Sequence, residues 1–196
     1  MKNRSVWFVL LLVSVCWSFQ QPGWTEEELA MANTAKDANF LTQEEKDVFL
    51  YLNLARLYPK KFAEFEVKNY TPPAKYGDYL KNSPYVKSLI QELKKQKPLS
   101  VIYPDEEMYE EALCLVREQA KSGKMGHDRK KCPKTYRGEC CSYGMEAGRD
   151  IVMQLLIDHN VKSLGHRNIC LGDYSRMGTA TGSHPKTGTF AVLDFH

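Results

Sequence analysis

Two runs of strand-forming residues at the end of the chain, 176–182 and 189–195, constrain the fold most strongly. The segment from Gly182 to Gly188 makes a turn between them, so the two runs are predicted to form a β-hairpin. The shorter run Glu139–Tyr143 lies between a loop and a helical pattern and predicts another strand.

Helical patterns occupy much of the chain before the hairpin. The segment Thr42-Gln43-Glu44-Glu45 has the form of a capping box, and its helix is expected to end near Leu57, before Pro59. Three further helices are predicted: one opens at Ser83-Pro84, one runs from Asp105 to Gly123, and one contains Ile151 to Leu156 and stops around Asn160. Because helices come first and strands concentrate late, the predicted fold class is α+β.

The first 20 residues are predicted to be a secretory signal peptide. Two basic residues precede an apolar run at 6–13, and smaller, more polar residues follow it. This run is too short for a membrane-spanning helix, so no transmembrane span is expected in the mature chain. Residues 21–41 lack a sustained apolar face and are predicted to be a linker or N-terminal extension of a domain at 42–196.

Removal of the signal peptide would also remove Lys2 and Arg4 and lower the formal net charge from +3 to +1. A near-neutral domain lacks the basic surface that nucleic acids and anionic membranes attract. No nucleic-acid partner is therefore expected, and the chain is predicted to act outside the cell or in a periplasm.

Five cysteines remain after the signal peptide: Cys114, Cys132, Cys140, Cys141 and Cys170. An oxidising compartment favours disulfide bonds among them. Because five is odd, at least one is unpaired or pairs outside the chain. A bond from Cys132 to Cys140 or Cys141 would close a short loop, and the remaining pairings are open.

Two histidines and one carboxylate form the candidate site. His127 and His166 each follow a glycine, which leaves the imidazole accessible, and Glu139 lies in the predicted strand. Neutral imidazoles and a carboxylate are suitable ligands for a divalent cation, and zinc is the preferred candidate. The interval between the histidines is longer than compact zinc-ligand spacings, so the spacing alone is weak evidence.

An ordered set of motifs resembles the CAP superfamily, also called the SCP domain, which includes cysteine-rich secretory proteins, antigen 5 and plant pathogenesis-related 1 proteins. The motifs are Leu52-Asn53-Leu54-Ala55-Arg56, Pro59, Phe62-Ala63, Gly126-His127, Gly138-Glu139, Ser142-Tyr143-Gly144, Gly165-His166-Arg167-Asn168-Ile169, Met177-Gly178 and Val192-Leu193-Asp194-Phe195. The resemblance covers residues 42–196 and is nearest to the bacterial secreted branch.

The resemblance implies a three-layer α-β-α sandwich, in which helices flank a small, mostly antiparallel sheet. It also implies a cleft lined by His127, His166 and Glu139, which in many members binds a divalent cation. Some members bind sterols or other lipids elsewhere on the domain, so a lipid, a sterol or a protein is the implied extracellular partner.

The chain departs from the family pattern beside this cleft. Cys140 replaces the asparagine that follows the glutamate. The second acidic cleft residue has no unambiguous match: Asp158 is best placed, while Glu146 and Asp150 compete with it. His184, on the predicted hairpin, is an additional candidate.

The sequence is compatible with three functions. A non-enzymatic binding module with a metal-capable cleft is favoured, because no serine or cysteine lies in a recognisable triad and Cys141 is expected to be disulfide-bonded. In a zinc hydrolase, His127 and His166 would hold the metal and Glu139 would be the general base; His184 or Asp158 would have to be the third ligand. The third possibility is a purely structural extracellular module.

Overall fold

The computed structural model describes residues 23–196, and within them the chain forms seven α-helices and four β-strands. In chain order these are α1 (Glu26–Ala32), α2 (Gln43–Leu57), α3 (Pro59–Phe62), a π-helical turn (Ala63–Val67), a 3-10 turn (Ala74–Tyr76), α4 (Pro84–Lys95), β1 (Tyr103–Pro104), α5 (Glu106–Ser122), β2 (Gly138–Tyr143), α6 (Gly148–Ile157), α7 (Gly165–Cys170), β3 (Arg176–His184) and β4 (Gly188–Phe195). The predicted signal peptide at 1–20 lies outside the described residues. Within 23–196, no helix has the length and apolar character needed to cross a bilayer.

The four strands form one mixed sheet in the order β1-β3-β4-β2. The predicted hairpin is confirmed: β3 and β4 are antiparallel, with His184 opposite Gly188 at the turn. Strand β2 is antiparallel to β4 and places Glu139 opposite Asp194. The two-residue β1 runs parallel to β3 and has no counterpart among the predicted strands. The α+β class is therefore confirmed.

Helices cover both faces of the sheet, because successive strand residues point to opposite faces. On one face, α5 packs against β3 and β4; the buried residues of this layer include Ala112, Leu115, Val116, Ala180, Phe190 and Val192. On the other face, Ala191, Leu193 and Phe195 of β4 belong to the main core with α2 and α6. This arrangement is a three-layer α-β-α sandwich.

The capping box at the start of α2 forms as predicted and also joins α2 to the sheet. Glu45 Oε2 accepts the Thr42 N–H at 2.8 Å, and Thr42 Oγ1 accepts the Glu45 N–H at 3.3 Å. Glu45 Oε1 accepts the backbone N–H of Thr181 in β3 at 2.7 Å. The Thr181 hydroxyl also donates to Oε1 at 3.0 Å. One buried carboxylate thus fixes a helix start against a strand, because its three hydrogen bonds offset the cost of burial.

The segment before α2 is packed rather than loosely attached. Trp24 is buried and donates from Nε1 to Glu66 Oε1 at 2.8 Å, and Ala32 and Ala35 lie in the main core. The acidic run that suggested a polar lead-in is the first turn of α1, where carboxylates complement the helix dipole. Residues 24–41 therefore behave as an N-terminal extension of the folded unit.

Cys114 of α5 forms a disulfide with Cys132 in the loop before β2. The predicted bond from Cys132 to Cys140 or Cys141 is therefore wrong. Both of those cysteines are buried in β2 and, like Cys170, carry free thiols.

Candidate functional site

His127 and Glu139 form a direct pair at one side of β2. His127 Nδ1 lies 2.6 Å from Glu139 Oε1. The imidazole is half-exposed, whereas the Glu139 side chain is only 3% exposed. The loop is held by Tyr143, whose hydroxyl accepts the Gly126 N–H at 2.7 Å and donates to Gln119 Oε1 at 2.9 Å. Gly126 has a φ of 110°, a conformation that favours glycine.

Arg129 is a central residue that the sequence analysis missed. Its Nε donates to Glu139 Oε2 at 3.1 Å, and its Nη2 contacts both Glu139 and Asp194, the latter at 2.6 Å. Nη1 donates to the Glu111 carbonyl at 2.8 Å, and the guanidinium lies over the Tyr136 ring. Its side chain is 3% exposed. In the sequence it begins a basic run, Arg129-Lys130-Lys131, which has the composition of an exposed loop.

One guanidinium serves two buried carboxylates, and their pKa values move in opposite directions. Burial acts to raise the pKa of Glu139, but hydrogen bonds from His127 and Arg129 outweigh it, so the pKa is lowered. Burial raises the pKa of Asp194 to about 8 even with Arg129 beside it. Asp194 Oδ1 has no hydrogen-bond partner among residues 23–196. Of the two carboxyls, Asp194 is therefore the one that holds its proton more readily, and Glu139 is the one that ionises first.

Cys141 completes a three-residue group that could hold a metal ion. It lies two residues after Glu139 and so points to the same face of β2. One ligand atom from each of His127, Glu139 and Cys141 lies within 4.8 Å of the others. The Cys141 Sγ to His127 Nδ1 distance is 3.7 Å, close to the ~3.6 Å that Zn–S and Zn–N bond lengths give in a tetrahedral site. Strand alternation between Glu139 and Cys141 was the sequence signal for this cysteine.

His166 is paired with Asp158. Asp158 follows α6 in a left-handed conformation, and its carboxylate accepts the backbone N–H of His166 at 3.0 Å and lies 2.7 Å from its Nδ1. The competing acidic residues lie elsewhere: Glu146 pairs with Lys75, and Asp150 accepts the Tyr70 hydroxyl at 2.9 Å. The structure thus places Asp158, the best-placed candidate from the sequence, beside the second histidine.

A cavity of about 220 Å³ adjoins both parts of the site. Its lining includes Tyr79, Cys141, Tyr143, Asp158, His159 and His166. Cys141 is shared by this cavity and the three-residue group, whereas His166 belongs only to the cavity. The site therefore consists of two histidine–carboxylate pairs, His127–Glu139 and His166–Asp158. Cys141 on β2 links them, because it belongs to the three-residue group with the first pair and to the cavity lining with the second.

His184 has a structural setting. It is buried at the end of β3, and its ring packs edge-on against Tyr143 and Phe190. Nε2 lies 3.3 Å from the Lys124 carbonyl, and Nδ1 accepts the Lys186 N–H at 3.3 Å. With both ring nitrogens used by the hairpin and the neighbouring loop, His184 supports the walls of the site.

Protein-family models, curated proteins and solved structures were compared with this chain, and none of them matches. The resemblance to the CAP superfamily therefore rests on the ordered motifs of the sequence.

Proposed function

We propose that this chain is an exported CAP-type binding module whose cleft holds a divalent cation, zinc first, and binds a small extracellular ligand beside it. The observation that carries the proposal is the convergence of His127, Glu139 and Cys141 within 4.8 Å. The neighbouring cavity at His166 would receive the ligand.

The donor set favours zinc over calcium or magnesium. Imidazole nitrogen and thiolate sulfur are zinc ligands, whereas calcium and magnesium prefer sites made of oxygen. Three protein ligands leave the fourth tetrahedral position open. Metal binding would displace the proton of the His127–Glu139 hydrogen bond and would remove the proton of the Cys141 thiol.

Arg129 supports this role because it leaves one oxygen of Glu139 for the metal. The guanidinium holds Oε2, whereas Oε1 faces His127. A hydrogen-bonded partner of this kind orients a metal ligand and tunes its basicity. The buried Arg129 is thus a positioning residue for the proposed metal site.

The same contacts favour binding over hydrolysis. A general base works best with a pKa near the operating pH, but the pKa of Glu139 is lowered by its hydrogen bonds to His127 and Arg129 against the effect of burial. Burial raises the pKa of the Cys141 thiol, so it is a poor nucleophile without a metal. The zinc-hydrolase alternative, in which Glu139 is the general base, is therefore the less favoured of the two.

The size of the cavity restricts the ligand. At about 220 Å³ it lies below the roughly 300–1,000 Å³ of pockets for drug-sized molecules. A small polar molecule, or one side chain of a protein partner, suits it better than a sterol. The tyrosines and histidines in its lining combine apolar ring faces with hydrogen-bonding edges.

Export is supported by the signal-peptide pattern together with the Cys114–Cys132 disulfide. Structural disulfides occur mainly in oxidising compartments. An extracellular or periplasmic location would satisfy both observations.

Metal analysis of the exported full chain tests the proposal. We expect one zinc per chain, and zinc affinity at least ~10-fold lower in His127→Ala and in Cys141→Ser. Asp128→Ala is the matched control, because this exposed neighbour lies outside the three-residue group. Zinc affinity unchanged in both site variants would refute the metal site. Turnover of ester or peptide substrates that Glu139→Gln abolishes would instead establish the hydrolase.

A further inference from the structure

Cys140 and Cys170 lie on two elements that pack together, β2 and α7, in the layer behind the proposed metal site. Cys140 lies between Glu139 and Cys141 in β2, so its side chain points to the opposite face of the sheet. It is fully buried, and Cys170, the last residue of α7, is 1% exposed. Cys140 Sγ lies 3.7 Å from the carbonyl of His166 in the first turn of α7, and burial, together with the nearby Cys170 thiol, raises the pKa of Cys140.

Two buried cysteines on neighbouring elements can form a disulfide with little backbone movement when their Cα atoms lie within about 7 Å of each other. Helix α7 packs directly on β2. The chain already carries one disulfide, Cys114–Cys132, on the side of the sheet that α5 covers. A compartment that oxidises that pair exposes this pair to the same chemistry.

We propose that Cys140 and Cys170 form a second disulfide in the exported protein. Each thiol loses its proton, one S–S bond forms, and the two electrons reduce a disulfide of the compartment, such as oxidised glutathione or a disulfide oxidoreductase, to two thiols. The exchange passes through a mixed disulfide on one of the two cysteines. Because both are buried in the folded chain, the exchange takes place before α7 packs onto β2.

This bond would leave one unpaired cysteine among the described residues. Cys114–Cys132 and Cys140–Cys170 use four of the five cysteines within residues 23–196, and Cys141 remains the unpaired one in that range. Cys141 is the thiol next to His127 and Glu139. The second disulfide would thus protect the candidate metal ligand from pairing with its immediate neighbour in sequence.

The bond would also join the two walls of the cleft. Strand β2 carries Glu139 and Cys141, and the first turn of α7 carries His166. A covalent link between β2 and α7 holds the cavity wall at a fixed distance from the metal group. The inference rests on the proposed export but not on metal binding.

Peptide mapping of the exported full chain tests this proposal. The protein is denatured without reductant, alkylated with iodoacetamide and digested with trypsin. We expect peptide 138–149 to be disulfide-linked to peptide 168–176, with one alkylated cysteine on 138–149. Reductant should separate the two peptides.

Two variants assign the bond to Cys140. The link should persist in Cys141→Ser, which keeps the proposed pair, and disappear in Cys140→Ser. Three alkylated cysteines in these two peptides, together with an intact Cys114–Cys132 bond, would overturn the proposal. A link that persists in Cys140→Ser and is lost in Cys141→Ser would overturn it as well. Reduction of both pairs in the exported chain would refute the second disulfide and the oxidising compartment together.

Discussion

Glu139 and Asp194 lie directly opposite each other on adjacent strands and share the guanidinium of Arg129. Two carboxylates facing each other in a sheet repel when both are ionised. Here the cation between them, and the raised pKa of Asp194, remove that repulsion. The arrangement holds Glu139 in an ionised state beside His127, as a metal ligand requires.

Removing the shared cation should destabilise the protein strongly. Arg129→Met leaves Glu139 and Asp194 buried without their common partner, and breaking a buried pair in this way costs about 3–5 kcal/mol. Urea denaturation would measure the change in the free energy of unfolding. Arg117→Met is the control, because Arg117 is exposed and such substitutions stay within about 0.5 kcal/mol. Similar values for the two variants would show that Arg129 is not needed for this pair.

The pH dependence of stability should reveal the proton on Asp194. Burial raises its pKa from an ordinary value near 3.8 to about 8. The folded state therefore binds a proton that the unfolded state releases, and this contribution to stability falls as the pH rises from about 4 to 8. Asp194→Asn lacks the titrating group. The stability of the wild type relative to Asp194→Asn should thus decrease between pH 5 and pH 8 in urea denaturation. A difference independent of pH would contradict the raised pKa.

The His127–Glu139 pair should stabilise the metal-free protein over a defined pH window. The hydrogen bond to Glu139 raises the pKa of His127, and the pKa of Glu139 is lowered, since hydrogen bonds from His127 and Arg129 outweigh the effect of burial. The His127 contribution is complete below its ordinary pKa of about 6.5 and is lost as the pH rises through the raised value. The Glu139 contribution is complete above its ordinary pKa of about 4.3 and is lost as the pH falls through the lowered value.

Comparing His127→Gln with the wild type at several pH values measures the pH range in which the pair stabilises the protein. In the presence of a chelator, its loss of stability relative to the wild type should be largest near pH 5 to 6 and smaller at pH 9. The loss should stay below about 1 kcal/mol, because the imidazole is half-exposed and solvent screens the pair. His159→Gln is the control, since the His159 ring lies against Ser83 rather than a carboxylate. Equal pH profiles for the two variants would exclude the ion pair.

Local signals in the sequence predicted much of the fold. Thr42 and Asp105 cap α2 and α5, and Gly123 ends α5 in a left-handed conformation, as expected. These signals act within one helical turn and can therefore be recognised without tertiary structure. Trp24 was missed because its burial depends on Glu66, more than 40 residues away.

The candidate site was predictable only in part. His127, Glu139 and His166 stood out by type and by their glycine neighbours, and the structure pairs His127 with Glu139 and His166 with Asp158. Arg129 could not be recognised because its burial depends on how a surface-like loop folds over β2. Cys141 was assigned to a disulfide because the sequence did not reveal the Cys114–Cys132 pair.

Gly178 should be intolerant of even the smallest side chain, because α5 lies directly on β3 there. A Cβ at this position would come within 2.1 Å of the backbone of Met108 and Tyr109. Backbone atoms cannot give way as a flexible side chain can, so Gly178→Ala must push α5 from the sheet, at a cost of at least ~1–3 kcal/mol. Gly165→Ala is the matched control, since its Cβ would meet only the Ser163 hydroxyl at 3.5 Å.

Because α5 leads into the loop that carries His127, Gly178→Ala should also weaken the proposed zinc binding, which titration of the folded variant would measure. Thermal midpoints and zinc affinities that are equal in the two variants would show that the contact between α5 and β3 does not position the site.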